Sequence, residues 1–362
     1  MKSIICTLIL HTGICLEVIE TRKEQNHDFG PHATKLNSAQ MNKAKKIHIP
    51  LLLAILFLFI PSIAAGKSAG ILPEIIVDQR NLYATVKYLT EIKPSRNYYN
   101  VQSLQKTASY IKKQFKKYGI TCETQEFEVN GQTYSNIIGI INKNSSARII
   151  IGAHYDVCGD QPGADDNASG VAGLLETARL LKEHLNKSDF RYDFVAYTLE
   201  EPPFFRTNYM GSYIHAKSMF DEKTDVRGMI SLEMLGYFSD EPGTQAFPLG
   251  MMKLFYPSKG NFIAVISNFK SGKLLRHVEK YMNETNIPVS SLIAPTWITG
   301  VDFSDHRSYW QFGYKAVMIT DTSFYRNSNY HKVTDTIETL DFEKMKEVLR
   351  GVVLALINIQ KL

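Results

Sequence analysis

ARIIIGAHYDVCGDQPGADDNASGVAGLLETARLL, residues 147–181, is the stretch that decides the fold. Ile149, Ile150 and Ile151 form a β-branched run without polar alternation, as expected of a strand buried on both faces. His154 and Asp156 stand where that strand should end, and ligands of open α/β sheets collect at the carboxyl ends of the strands. Pro162 and Gly163 then turn the chain, and Asp165 and Asp166 follow. Asn167 or Ser169 is placed to cap a helix whose leucines recur at helical spacing through Leu174, Leu175, Leu180 and Leu181. A carboxylate in that position faces the positive end of the helix.

Working outward, helical periodicity covers 81–92 and 101–118. The second of these puts Leu104, Ala108, Ile111 and Phe115 on one face and lysines on the other. Residues 122–129 and 134–141 read as strands around Asn130 and Gly131, a hairpin signal, so an antiparallel pair precedes the opening strand. Downstream of the motif helix, which runs to about His184, strands are expected at 193–199, 228–232, 261–267, 289–294 and 316–320. Helices are expected at 209–219, 273–284 and 341–359. The alternation predicts an α/β protein with helices on both faces of a mostly parallel core, a three-layer α/β/α arrangement around a mixed sheet. Residues 239–259, rich in Pro, Gly and Met, read as an insertion or rim loop.

With 362 residues, 44% hydrophobic and 21% charged, the chain can bury a full core and is not a disordered tail. The formal charge of +5 includes Lys43, Lys45 and Lys46 beside an apolar segment. Residues 1–40 are neutral, and the chain from Gly66 onward carries about +2, too little to argue for a nucleic-acid partner. Met41 opens MNKAKK, a positive n-region, followed by the apolar IHIPLLLAILFLFI and by Pro61, Ser62, Ala64 and Ala65 at a small-residue cleavage site. The chain therefore divides into 1–40, a doubtful leader consistent with a start at Met41; 41–65, a signal peptide or N-terminal anchor; and 66–362, the single α/β domain. Export is the expectation, with membrane anchoring through residues 47–65 as the alternative. Cys122 and Cys158 fall in the exported part, where spacing alone does not establish a disulfide. Cys158 lies close to the candidate ligands, but a lone Cys in a Gly-rich loop is more often just a small residue.

A site is recognised when several strands deliver chemistry to one edge. FVAYTL ends in Glu200 and Glu201, GMISL ends in Glu233, and the loop after AVMIT carries Tyr330 and His331. Any one acidic residue after an apolar strand is more often a solvated turn. Two imidazoles and several carboxylates converging on one crevice instead match the ligand mix of hydrolytic zinc sites. A bridging carboxylate would let two ions share the site about 3.5–4 Å apart. His184 and His215, on helices away from the crevice, read as surface or core histidines.

At these residues the sequence resembles metallopeptidase family twenty-eight, the co-catalytic zinc exopeptidases that include bacterial leucyl aminopeptidases, glutamate carboxypeptidase and the glutaminyl cyclases. HYD, PGADDNASG, LEE, SLEMLGY, SDH and YHKVTDT occur in family order, and the likeness runs from about Asn81 to the C-terminus. The resemblance implies two zinc ions: His154 and Glu233 on one, Glu201 and His331 on the other, and Asp166 bridging both. It implies Glu200 as general base, Asp156 orienting His154 from behind, and Tyr330 helping to polarise the substrate carbonyl. Asp305 and His306 are expected as supporting or scaffold residues, since the family's last ligand is the later histidine. The better-known aminopeptidases carry Asp where this chain has Glu233, a longer arm at the first zinc. The implied activity is an exported exopeptidase acting on peptides, of aminopeptidase type. Carboxypeptidase polarity, a single-zinc glutaminyl cyclase and a non-catalytic binding protein are the alternatives. For the substrate, the acid-rich crevice with Glu233, Asp165 and Glu200 favours a protonated amine. Phe204, Phe205 and Tyr325 favour an apolar first residue, and Arg206, Arg307 and Arg326 are the arginines within reach from loops.

Overall fold

A computed structural model describes residues 72–185 and 187–359, together with the backbone of a separate antiparallel pair, Ile5–Leu10 with Ile14–Ile19. The expected signal or anchor segment, 41–65, lies outside the described residues, and no described helix is long and apolar enough to cross a membrane.

The main body is an eight-stranded sheet between helices. Its strands are β1 (Thr121–Val129), β2 (Gln132–Ile141), β3 (Ala147–His154), β4 (Phe190–Tyr197), β5 (Val226–Glu233), β6 (Ile263–Ser267), β7 (Val289–Ile293) and β8 (Ala316–Thr320). Their spatial order is β1-β2-β4-β3-β5-β8-β6-β7. The middle four, β4, β3, β5 and β8, run parallel, flanked by the antiparallel β1–β2 hairpin on one side. On the other side β6 is antiparallel to β8 and carries β7 parallel to itself. Alternation places 261–267 and 289–294 as a continuation of the core; the pairing with β8 reverses β6, and with it β7, so the expected mixed sheet is antiparallel at both flanks of its parallel centre.

The hairpin forms as Asn130-Gly131 requires. Both residues take positive φ, 51° and 75°, which matches the twist of the flanking strands. Helices α1 (Gln79–Thr90), α2 (Val101–Lys117), α3 (Gly170–His184), α5 (Gly272–Met282) and α7 (Phe342–Ile357) pack against one another on one face. On the opposite face α4 (Gly211–Asp221) meets α6 (His306–Gln311). The triple isoleucine explains the three layers. Ile149 and Ile151 point into the larger core under the five helices and Ile150 into the smaller core on the other face, so every position of the run is buried. A third cluster, with Met252, Ala264, Ile266, Leu292 and Met318, occupies the β6–β8 end of that opposite face.

Parallel register carries the site to one edge. His154 is the last residue of β3 and pairs with Tyr197, the last of β4; Glu233, the last of β5, pairs with Thr320, the last of β8. Three corners there take a left-handed backbone on non-glycine residues: Leu199 at φ 60°, Met234 at 50° and His331 at 55°. Leu199 is why β4 stops at Tyr197 rather than running to Leu199. A left-handed residue cannot continue the ladder.

Candidate metal centre

The loop after β3 is built around Asp166. Gly163 enters it at φ 60°, where a Cβ would lie 2.3 Å from Val157 and 2.4 Å from the Asp166 carbonyl oxygen, so only glycine fits. The Asn167 amide stitches the loop to the end of β5. Its Nδ2 donates to the Leu232 carbonyl at 2.9 Å, and its Oδ1 accepts from Met234 N at 3.0 Å and from Gly170 N at 3.1 Å. The last of these satisfies a free N–H at the start of α3, so Asn167 rather than Ser169 does the capping.

Asp166 then stands between the two imidazoles. Its Oδ1 is 3.3 Å from His154 Nε2 and its Oδ2 is 3.2 Å from His331 Nε2. Glu233 Oε2 lies 3.3 Å from His154 Nε2, and Glu201 Oε2 lies 3.2 Å from His331 Nε2. The structure thus groups His154 with Glu233 and His331 with Glu201, one oxygen of Asp166 serving each group. Glu200 leans toward the first group, with Oε2 at 3.9 Å from His154 Nε2, and its neighbour Glu201 toward the second. The longer arm of Glu233 is held by Ser304, whose Oγ donates to Oε2 at 2.7 Å and is itself 2.9 Å from Ser231 Oγ.

Asp156 does more for the glutamates than for the histidine. Its Oδ1 is 3.7 Å from His154 Nδ1, beyond hydrogen-bond reach, whereas its two oxygens accept the backbone N–H groups of Glu200 and Glu201 at 3.2 and 3.1 Å. Tyr330 stacks on His331 with ring centroids 3.8 Å apart. His306 is tied to the Val301 carbonyl at 2.8 Å and stays out of the ligand group, and burial lowers its pKa to about 4. Asp305 is fully buried, which pushes its pKa up to about 7, and neither of its oxygens has a hydrogen-bond partner among the described residues. Of the SDH motif, Ser304 is therefore the residue that touches a candidate ligand. His215 is buried in the core as expected, its Nδ1 2.6 Å from the Tyr309 hydroxyl, and His184 is partly exposed.

The charges show what the site is made for. Burial disfavours the His154 cation, but the carboxylates of Glu233 and Glu200 outweigh it and hold the imidazole well above its ordinary pKa. Burial pushes Glu201 up to about 8 and also raises Glu200 and Glu233. Burial works against the Asp166 carboxylate too, yet its contacts with both histidines bring it below the usual carboxylate range. Among the described residues, Glu201 Oε1 and His331 Nε2 have no hydrogen-bond partner. Buried carboxylates crowded together with unpaired donor atoms are costly unless cations neutralise them. Imidazole and carboxylate are the donor set of zinc, so these residues fit the metal.

Two supporting residues are given no role by the sequence reading. Asp335 accepts the N–H groups of Asp165 and Asp166 at 2.9 and 3.0 Å. Arg96 is buried, and its guanidinium donates to the carbonyls of Tyr155, Leu89, Pro162 and Gly163, bracing the loop on either side of the ligands. The TDT that follows YH was a local cue for Asp335; for Arg96 only an isolated basic residue was on view.

Beside the metal-facing residues opens a cavity of about 290 Å³. Asp166, Glu200, Glu201, Glu233, Tyr330 and His331 form its polar end, and Phe205, Met252, Ile266, Leu292, Phe303 and Met318 are among its apolar walls. Tyr325 lines it as expected, but Phe204 does not: it packs edge-on against Tyr98 and Tyr209. Asp165 is likewise absent from the crevice, its oxygens accepting from Gly236 N at 2.9 Å and Asn327 Nδ2 at 2.8 Å. None of the three arginines reaches in. Arg206 and Arg307 share Asp302, and Arg326 is buried against Gln245 and the Phe262 carbonyl.

An α/β sheet whose strand ends gather paired imidazoles and carboxylates over an apolar cavity is the architecture of a metal-dependent hydrolase. The sequence pattern of peptidase family M28 matches residues 136–356, and the chain belongs to that family, as a hydrolase that acts on peptides. The uncharacterised protein YfbL of Escherichia coli is 43% identical over 286 residues, 76% of this chain and 87% of its own. Leucine aminopeptidase 1 of Pyrenophora teres f. teres is 26% identical over 289 residues, 76% of this chain and 68% of its own. Among solved structures, BSAP, a zinc aminopeptidase from Bacillus subtilis, superposes with a TM-score of 0.63 at 16% identity, covering 78% of this chain and 95% of that one. A glutaminyl cyclase of Bacteroides thetaiotaomicron gives 0.59 at 19% identity, covering 80% of this chain and 99% of that one. These two likenesses establish the shared α/β fold.

Proposed function

We propose that this protein is an exported zinc aminopeptidase that removes an apolar first residue from peptides. The observation that carries the reading is Asp166, with one oxygen at each of two His–Glu groups. His154, Glu233 and Asp166 would hold one zinc, and His331, Glu201 and Asp166 the other. Bound there, zinc would supply Lewis acidity and make a nearby water easier to deprotonate. Glu200, beside that position and not needed as a ligand, takes a proton from the attacking water and returns it to the leaving amine as the carbonyl–nitrogen bond breaks. Burial, with the charges of Asp166, Glu201 and Glu200 added, raises the Tyr330 pKa. The phenol therefore stays protonated and can donate to the carbonyl oxygen as negative charge develops there.

Among the described residues no arginine or lysine lines the cavity, so no cationic side chain there would clamp a terminal carboxylate, which favours a free N-terminus as the end recognised. A cyclase acting with one zinc would leave one of the two His–Glu groups without a task. The test is N-acetylation of a good substrate with an apolar first residue. A block of cleavage supports the aminopeptidase, and equal cleavage of the acetylated peptide overturns it. Export rests on residues 41–65: amino-terminal sequencing of the mature protein should find a start near Gly66, and recovery of peptides from 1–40 would contradict it.

A further inference from the structure

We infer that Cys158 is a ligand of the metal position formed by Glu201 and His331, so that the two positions of the centre differ in chemistry. The inference rests on the metal-centre reading and goes beyond it. A ligand atom from each of Cys158, Glu201 and His331 lies within 4.8 Å of the other two. Bonds of roughly 2.0–2.3 Å from a single zinc put tetrahedral donors about 3.3–3.8 Å apart, so the three side chains would draw together by rotation around a bound ion. Glu201 is only 4% exposed, and its Oε1 has no hydrogen-bond partner among the described residues, so this group includes a buried acceptor with nothing to satisfy it.

The thiol is presented rather than incidental. Cys158 is half-buried and forms no disulfide with Cys122. The chain is pinned on both sides of it: Val157 N donates to the Arg96 carbonyl at 3.2 Å, and Asn97 Nδ2 donates to the Gly159 carbonyl at 2.8 Å. The neighbouring group of His154, Asp166 and Glu201 contains no sulfur. Thiolate is a softer donor than carboxylate and favours zinc over harder divalent ions, so the Cys158 side holds its ion more tightly and selectively.

The experiment uses the full chain, reduced and stripped of metal, then titrated with cobalt(II). The wild type and Cys122→Ser should both show visible ligand-field bands and an intense near-ultraviolet sulfur-to-cobalt charge-transfer band. Cys158→Ser should keep the ligand-field bands, lose the charge-transfer band and give up its tighter zinc to a chelator at least about tenfold more readily. In the wild type, metal should protect Cys158 from alkylation as read by peptide mapping, a measurement that does not depend on the variant folding. Ligand-field bands without a sulfur band, together with alkylation of Cys158 unaffected by metal, would overturn the inference and leave the dizinc reading standing. Absence of ligand-field bands altogether would remove the metal centre and this inference with it.

Discussion

The carboxylate of Asp335 accepts the backbone N–H of Asp166 at 3.0 Å, across 169 residues of chain. The residue proposed to bridge two metals is thus held from behind by a second carboxylate that contacts neither imidazole group. Asp335→Asn leaves one acceptor oxygen and turns an amide donor toward an N–H. Zinc affinity should fall about 10–100-fold, as for other residues that orient ligands. Chelator competition measures this, and unchanged affinity would show that the loop keeps its shape without Asp335.

Glu200 and Glu201 are adjacent but face different groups, which separates base from ligand. Glu200→Gln should retain both metals and lose about 10²–10⁴ in kcat. Glu201→Gln should lose metal first, and Asp166→Ala should lose both ions. Metal analysis of the purified variants beside their turnover decides the assignment, and the opposite pattern for the two glutamates would exchange their roles.

Ala264 on β6 pairs with Thr320 and lines the cavity. Ala264→Leu fills space where the first residue of the substrate is proposed to sit. The ratio of kcat/KM for a leucine-first over an alanine-first peptide should drop, by about 10–200-fold if the loss matches the usual worth of a methylene or two in an apolar pocket. An unchanged ratio would place the first residue elsewhere.

His215 predicts an acid limb of stability. Burial, with the charges of Arg148 and Arg191, lowers its pKa to about 3. The unfolded chain has an ordinary histidine near 6.5. Between those values the unfolded state takes up a proton that the folded state refuses. The contribution is therefore complete above about pH 6.5 and is lost as pH falls towards 3, amounting to a few kcal/mol. In urea melts from pH 7 to 4, His215→Gln should be less stable than wild type at neutral pH, and the gap should narrow on acidification. Parallel curves would contradict the assignment.

Much of this was legible because it is written locally. Asn130-Gly131 specifies its own hairpin, three β-branched residues specify a doubly buried strand, and His154, Glu201 and Glu233 sit at or just after the ends of apolar runs. What was hidden depends on distant pairing. The reversed direction of β6 is set by its pairing with β8, and that of β7 by its pairing with β6, not by their own composition. Arg96 acts through carbonyls as many as 67 residues away, a relationship that leaves no pattern in the sequence. Asp165 and Asp166 are identical in type and adjacent, yet one faces Asn327 and Gly236 and the other the histidines. Only the geometry of the loop separates them.

Part of the cavity's apolar wall comes from β6, β7 and the segment around Met252, with Phe205, Phe303 and Met318 adding the rest of the side chains named above, whereas most of the proposed chemistry sits on the ends of the parallel strands and the loops that follow them. Recognition is therefore shared between the reversed strands and the loops around the reacting groups, with the reversed strands supplying wall but none of the proposed ligands. The reversed strands form a module that can be remodelled, or exchanged with that of another member of the fold, to alter which peptides are accepted while the proton-handling groups keep their positions. Diversification of diet without reinvention of the engine is what this division of labour makes available.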